Sequence, residues 1–193
     1  MRLSEPRIPP LPEEEWSAEQ REILTRTVSA AEVLNIFRTL IRHPDLYRRW
    51  LPFGHQILFK STLPPREREL VILRVGHLCN AGYEFHHHVA IGRQAGLTEE
   101  DAQAVQQGPD AAHWDTFERM LMRAVDELHN NTFITQPTWD GLASRYSTTQ
   151  MIDLVFTVGQ YTMVSMALNS FGVQLEAGGA SLPDMTRRIS SRD

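Results

Sequence analysis

The sequence predicts an all-α protein, a single-domain bundle of about eight helices, and three observations carry that prediction. Apolar residues return at helical spacing in most segments between Ser17 and Phe171. Capping residues and Gly or Pro breaks punctuate those segments. No run alternates with the period of two that a half-buried strand needs, and Thr132 to Thr135 is too short to count as one.

Composition narrows the class further. At 193 residues and 41% hydrophobic, the chain can bury a core without disulfides or structural metal. A net charge of -5 with both signs scattered argues against the clustered basic face of a nucleic-acid surface. The single cysteine, Cys79, permits no intrachain disulfide. No apolar run of membrane length and no signal-peptide pattern is read. The expectation is a cytoplasmic protein whose partners are small molecules or copies of itself, with neither nucleic acid nor membrane among them.

Taken in order, residues 1–16 read as an extended N-terminal arm, because Met1 to Pro12 hold four prolines and no apolar period. Such an arm suits contact with a neighbouring subunit. The helical domain is assigned to residues 17–177. Ser17 and Gln20 have capping-box spacing ahead of Ile23, Leu24 and Val28. A second pattern, Val33, Leu34, Phe37, Leu40 and Ile41, halts at His43-Pro44, since the residue before proline leaves the helical region. A third helix runs from Asp45 towards Lys60, and two more span Arg66 to Cys79 and Ala81 to Gln94, with Gly96 as the C-terminal cap. Thr98 caps the next, whose first turn carries Glu99, Glu100 and Asp101. Ala111 to His129 is amphipathic and Gln136 to Tyr146 short. Ser147 to Phe171 is apolar almost all round, which marks a helix central to its domain or buried against another subunit. The tail, 178–193, lacks a period and is expected to be mobile.

Chemistry concentrates between Pro64 and Leu97. Glu84 and His88 stand four residues apart, so a helix brings them within reach of one another, and a carboxylate beside an imidazole suits general acid-base work. The plain alternative is an exposed ion pair worth a few tenths of a kcal/mol. Glu69, early in the preceding helix, either complements the helix dipole or reaches across the short Asn80-Ala81-Gly82 connection to the same face. His86, His87 and His88 diverge by about 100° each on a helix, and no metal-ligand spacing is present, so no metal is expected. His86 and His87 are read as partly exposed or in a subunit contact. Cys79, at a helix C-terminus, lacks the positive dipole end that activates a thiol. Tyr83 reads as core or as a pocket hydroxyl. Arg74 pairs either with a substrate carboxylate or with Glu67 on its own face.

These residues in order resemble the carboxymuconolactone decarboxylase family, the all-α group that includes the alkylhydroperoxidase D-like proteins. The resemblance rests on Glu69, Arg74, Tyr83-Glu84-Phe85, His88 and Ala95-Gly96-Leu97-Thr98, and the segment from Ala124 to Val173 is similar to the second half of the longer members. In the peroxidase branch a Cys-x-x-Cys pair precedes the histidine; Ala81 and Glu84 stand at those two positions here, so the likeness is to the branch without the pair. The resemblance implies an enzyme that needs no cofactor and transfers a proton, or decarboxylates, on a small carboxylated or enolic substrate derived from a lactone or an aromatic ring. It implies His88, Glu84 and Glu69 as catalytic residues. Arg74, Tyr83, Phe37, Trp50, Phe53 and Tyr161 are the candidates for substrate binding. It also implies a homo-oligomer, a trimer or hexamer. The alternatives are a ligand-binding or assembly protein without catalysis, and a thiol-dependent peroxidase acting through Cys79.

Overall fold

Side-chain caps set where several of the helices begin. In this computed structural model, which describes residues 3–26 and 28–176, the helices are α1 (Ala18–Leu24), α2 (Asn35–Leu40), α3 (Pro44–Phe59), α4 (Pro65–Leu78), α5 (Gly82–Gln94), α6 (Glu99–Gln107), α7 (Thr116–Asn131), α8 (Gln136–Ala143) and α9 (Thr148–Phe171). Ser17, Thr98, Asp115 and Ser147 each close a capping box with the residue three positions on. No strand occurs among the described residues. The all-α expectation is met.

Two boundaries differ from the sequence reading for local reasons. Val33 and Leu34 precede α2 and do not lie in it, because Ser29 and Glu32 cap a short 3-10 turn at Ala30–Glu32 first. Helix α7 starts at Thr116, since Asp115 is the better cap and Ala111 to Trp114 form turns packed by their own side chains. Trp114 Nε1 donates to the Gly108 carbonyl at 2.9 Å there. Gly108 has φ of 88°, and a Cβ on it would meet the Arg74 guanidinium at 2.6 Å, so only glycine fits.

Helix α4 is the axis of the bundle, packing on α5, α6, α7 and α9. Leu70, Val71, Ile72, Leu73 and Val75 are all buried around it. A helix covered on every side also buries its polar residues, and each has a partner. Glu67 pairs with Arg145 and accepts from the Tyr146 hydroxyl. Arg74 forks onto Asp126 at 2.7 and 2.8 Å and donates to the Val105 and Gln106 carbonyls. Asp101 holds both Arg66 and His113.

The N-terminal arm lies on its own chain. Arg7 and Ile8 donate backbone hydrogen bonds to the Phe171 carbonyl, and Leu11 donates to Arg38. Helix α9, with 24 residues, is long and apolar enough by length and composition to cross a membrane, where the sequence reading found the helix but no apolar run of membrane length; half of its most apolar stretch is buried within the molecule. It packs on α3, α4, α5, α7 and α8. Its other face leaves Ile152, Val155, Phe156, Met163 and Met166 exposed. The tail expected to be mobile, 178–193, lies outside the described residues.

Candidate active site

Helices α4 and α5 form a hairpin whose three-residue link turns at Asn80, held at φ of 51°, a conformation Asn tolerates better than most residues. The hairpin brings together Glu69 from the second turn of α4 and Glu84 and His88 from one face of α5. All three are buried, Glu69 completely. The His88 ring lies between the two carboxylates: Nδ1 is 2.7 Å from Glu69 Oε2 and Nε2 is 3.0 Å from Glu84 Oε1. Arg68 donates from Nε and Nη2 to the other oxygen of Glu69, both at 3.0 Å. The Tyr161 ring meets His88 edge to face, with centroids 5.0 Å apart.

Electrostatics follow from this arrangement. Burial by itself disfavours the imidazolium, yet the charge and hydrogen bond of Glu69, followed by those of Glu84, outweigh it and raise His88 to about 9. At neutral pH the ring is therefore an imidazolium, its Nδ1 proton fixed by Glu69 and its Nε2 proton directed at Glu84. Burial, together with the two carboxylates, raises the Tyr161 hydroxyl well above its usual range, so it stays a phenol.

A cavity of about 240 Å³ opens beside Glu84 and His88. Phe37, Tyr47 and Trp50 wall it from α2 and α3, and Tyr83, Gln160 and Tyr161 from α5 and α9. Of the residues singled out in the sequence, Glu84, His88, Tyr83, Phe37, Trp50 and Tyr161 line it, and Glu69 stands behind His88. Arg74 and Phe53 are elsewhere. Arg74 is committed to Asp126, a partner 52 residues away and not Glu67. Phe53 sits on the outer surface against Phe156. Cys79 caps α4 outside this cavity, with Sγ 3.9 Å from His129 Nδ1.

A second histidine node adjoins the first and escaped the sequence reading. His87, expected to be partly exposed or at a subunit contact, is 2% exposed, with Nε2 2.9 Å from Glu176 Oε2. Glu176 also accepts from the Tyr83 hydroxyl at 2.7 Å and the Asn35 backbone N–H at 2.9 Å. Burial raises its pKa, but the His87, Asn35 and Tyr83 hydrogen bonds more than offset this and hold the carboxyl at about 2. Tyr83 and His87 share the four-residue spacing of Glu84 and His88, and that was the available signal. Nothing near Glu176 in sequence announced it. His86 is exposed and lines an outer groove of about 550 Å³ with His77 and Arg93. No group of three metal-ligating side chains occurs among the described residues.

Comparison with known proteins agrees with this architecture. Residues 44–127 match the model of the carboxymuconolactone decarboxylase family, CMD. An alkylhydroperoxidase AhpD core structure, an uncharacterized peroxidase-related protein from Ralstonia eutropha JMP134, superposes with TM-score 0.76 at 17% identity, over 89% of this chain and 94% of that one. An uncharacterized peroxidase-related protein from Silicibacter sp. TM1040 gives TM-score 0.72 at 17% identity, over 94% and 95%. A variant of the debrominase Bmp8 in complex with 2,3,4-tribromopyrrole gives 0.70 at 15% identity, over 89% and 92%. Sequence comparison with curated proteins gives no match. The matched segment thus begins with α3 and ends within α7, enclosing Glu69, Glu84 and His88: residues 44–127 match the carboxymuconolactone decarboxylase family model, within a chain that has the alkylhydroperoxidase D-like fold.

Proposed function

We propose that the protein is an acid-base enzyme that moves a proton on a small enolic or lactone-type substrate, decarboxylation of a lactone acid being one member of that class. The observation that carries this reading is the His88 ring held between Glu69 and Glu84 at the wall of a mostly apolar cavity. Glu69 holds the Nδ1 proton and fixes the ring plane. Glu84, whose second oxygen has no protein partner among the described residues, takes the proton from substrate or passes on the one it receives from His88 Nε2. In a decarboxylation the bond to the carboxyl group breaks, carbon dioxide leaves, its electron pair enters the conjugated system, and the His88 proton ends on carbon. The apolar walls exclude water from the carbanionic or enolate intermediate.

The test is a panel of small lactones and enols in deuterated solvent, scored for turnover and for deuterium incorporation. His88→Ala and Glu84→Gln are expected to lower the rate on an accepted substrate by about 10²–10⁴-fold; full turnover in either variant ends the proposal. A thiol peroxidase is the weaker reading, because Cys79 stands outside the cavity and no second cysteine exists to close a disulfide.

We also propose that the subunit works as a homo-oligomer, a trimer or hexamer, through the exposed apolar face of α9. Ile152, Phe156, Met163 and Met166 form one stripe along that helix, continued by Phe53 from α3. Phe156→Glu should lower the sedimenting mass to that of the monomer, and a monomeric parent protein would remove the idea.

A further inference from the structure

The donors that the cavity wall offers a ligand are uncharged, the Tyr47 and Tyr161 hydroxyls, the Trp50 N–H and the Gln160 amide among them. No Arg or Lys lines the cavity among the described residues, and its acidic lining residues are Glu84 and Glu32. The cations nearest the site are turned elsewhere, Arg68 to Glu69, Arg74 to Asp126, and Arg38 to the Val33 and Ala30 carbonyls. Both N–H groups of His88 face carboxylates already. An incoming carboxylate would thus meet Glu84 with no unoccupied charged donor to compensate it, in a mostly apolar cavity.

Two buried side chains in the cavity wall point the other way. Gln160, on α9, is 4% exposed, and its Oε1 has no hydrogen-bond partner. His87 has an unpartnered Nδ1. Its Nε2 faces the Glu176 carboxylate, an acceptor only, so Nε2 carries a proton there. A native interior seldom leaves buried polar atoms without partners, and where it does, the missing partner is commonly a ligand or a water. Glu84 and the Gln160 carbonyl oxygen accordingly offer acceptors at an aromatic-walled space. At about 240 Å³, that space is smaller than the ~300–1,000 Å³ typical of sites for drug-sized ligands, which limits the occupant to a single ring with few substituents.

We infer that this site selects an uncharged, single-ring substrate bearing an O–H or N–H donor, such as a phenol, an enol or an azole, and rejects carboxylates, with Gln160 as the residue that reads the donor. The inference rests on the acid-base reading of the same site and narrows it: proton transfers on neutral enols remain, and decarboxylation falls outside. The donor hydrogen goes to an acceptor of this set, and Tyr161, a phenol throughout the physiological range, is free to return a hydrogen bond to the substrate oxygen or ring. Gln160 is named as a specificity residue, with Glu84 as the group that takes the proton.

Binding can be ranked without turnover by fluorine NMR titration of the full chain at neutral pH. Suitable probes are 4-fluorophenol, which is neutral there, 4-fluoroanisole, which lacks the donor, and 4-fluorobenzoate, which is ionised. The phenol is expected to bind at least ~10-fold tighter than either of the others, because each of them leaves buried acceptors unpaired or adds an unpaired charge. Gln160→Leu should weaken the phenol while leaving or improving the anisole, so that the gap between them closes. Benzoate binding as tightly as the phenol, or equal phenol and anisole affinities in the unaltered protein, overturns the inference whether or not the variant folds. A phenol-to-anisole ratio unchanged in folded Gln160→Leu removes Gln160 from it. Loss of the His88-dependent turnover claim would leave this ranking standing, and the reverse outcome would strike only the ranking.

Discussion

His87 and His88 are neighbours on α5, each buried and each within 3 Å of a carboxylate, yet the two nodes are built differently. The His88 node is local: Glu69 and Glu84 come from one helical hairpin, 19 and 4 residues away. The His87 node is assembled from the ends of the chain, with Glu176 arriving 89 residues later, after α9 has ended. The first raises the pKa of a histidine; the second depresses that of a carboxyl. One node therefore gives the cavity its imidazolium, and the other ties α2, the N-terminal wall, to α5 through the Asn35 N–H, Tyr83 and His87. A charge placed for chemistry and a charge placed for closure stand one residue apart.

The largest expected effect separates the two by stability. His88→Ala strips Glu84 of its partner and Glu69 of one of two, and breaking a buried pair in this way costs about 3–5 kcal/mol, readable by urea unfolding. The pH dependence carries the signature. His88 has a folded-state pKa of about 9, above the ordinary 6.5. Its contribution is fully present below pH 6.5 and is lost as pH rises through about 9. The unaltered protein should weaken along that alkaline limb, and the variant should lack the slope. A variant that keeps the slope would mean that His88 is not the group protonated in the fold.

Glu176→Gln, the next in size, should cost about 2 kcal/mol near neutral pH, the depression from 4.5 to about 2 being discounted for the solvent that reaches this half-buried carboxyl. Here the sign is opposite. A depressed carboxyl stabilises above pH 4.5, and that stability disappears as pH falls towards 2, so parent and variant should converge in acid and differ in the neutral range. Urea midpoints measured from pH 2 to 7 decide this. Convergence on the alkaline side would contradict the assignment of the two nodes.

The same contrast explains what the sequence disclosed. Helical spacing reveals residues three or four apart, and a three-residue link reveals two antiparallel helices, so Glu84, His88 and Glu69 were legible as a group, along with α3 to α6 and the caps at Ser17 and Thr98. Periodicity carries no information about which distant segment covers a face. Hence Glu176 was invisible, Arg74 was left between a substrate carboxylate and Glu67 where the fold supplies Asp126, and Phe53 was a candidate for a pocket wall when it faces outward. Asp126, like Glu176, is distant in sequence and close in space. The all-round apolar pattern of α9 was legible, but the division into a buried face carrying Gln160 and Tyr161 and an exposed face carrying Phe156 and Met166 depends on packing against α3, α4 and α5.

The smallest effect tests whether the nodes are separate. Tyr83→Phe removes one O–H from Glu176 and leaves the His87 and Asn35 bonds in place, so the expected loss is about 1–2 kcal/mol, that of a hydrogen bond to a charged group with other partners remaining. Because the hydroxyl acts on the ionised carboxyl, the variant should also shift the acid limb upward from about pH 2 towards 4.5. Combined with Glu176→Gln, it should add little, since the bond it removes draws its strength from the same charge. Combined with His88→Ala, it should add in full, within ~0.3–0.5 kcal/mol, if the two networks share no partner. A larger coupling with His88→Ala would show that the wall-closing carboxylate and the imidazolium act as one network across the cavity, and that opening the wall changes the proton affinity of the site.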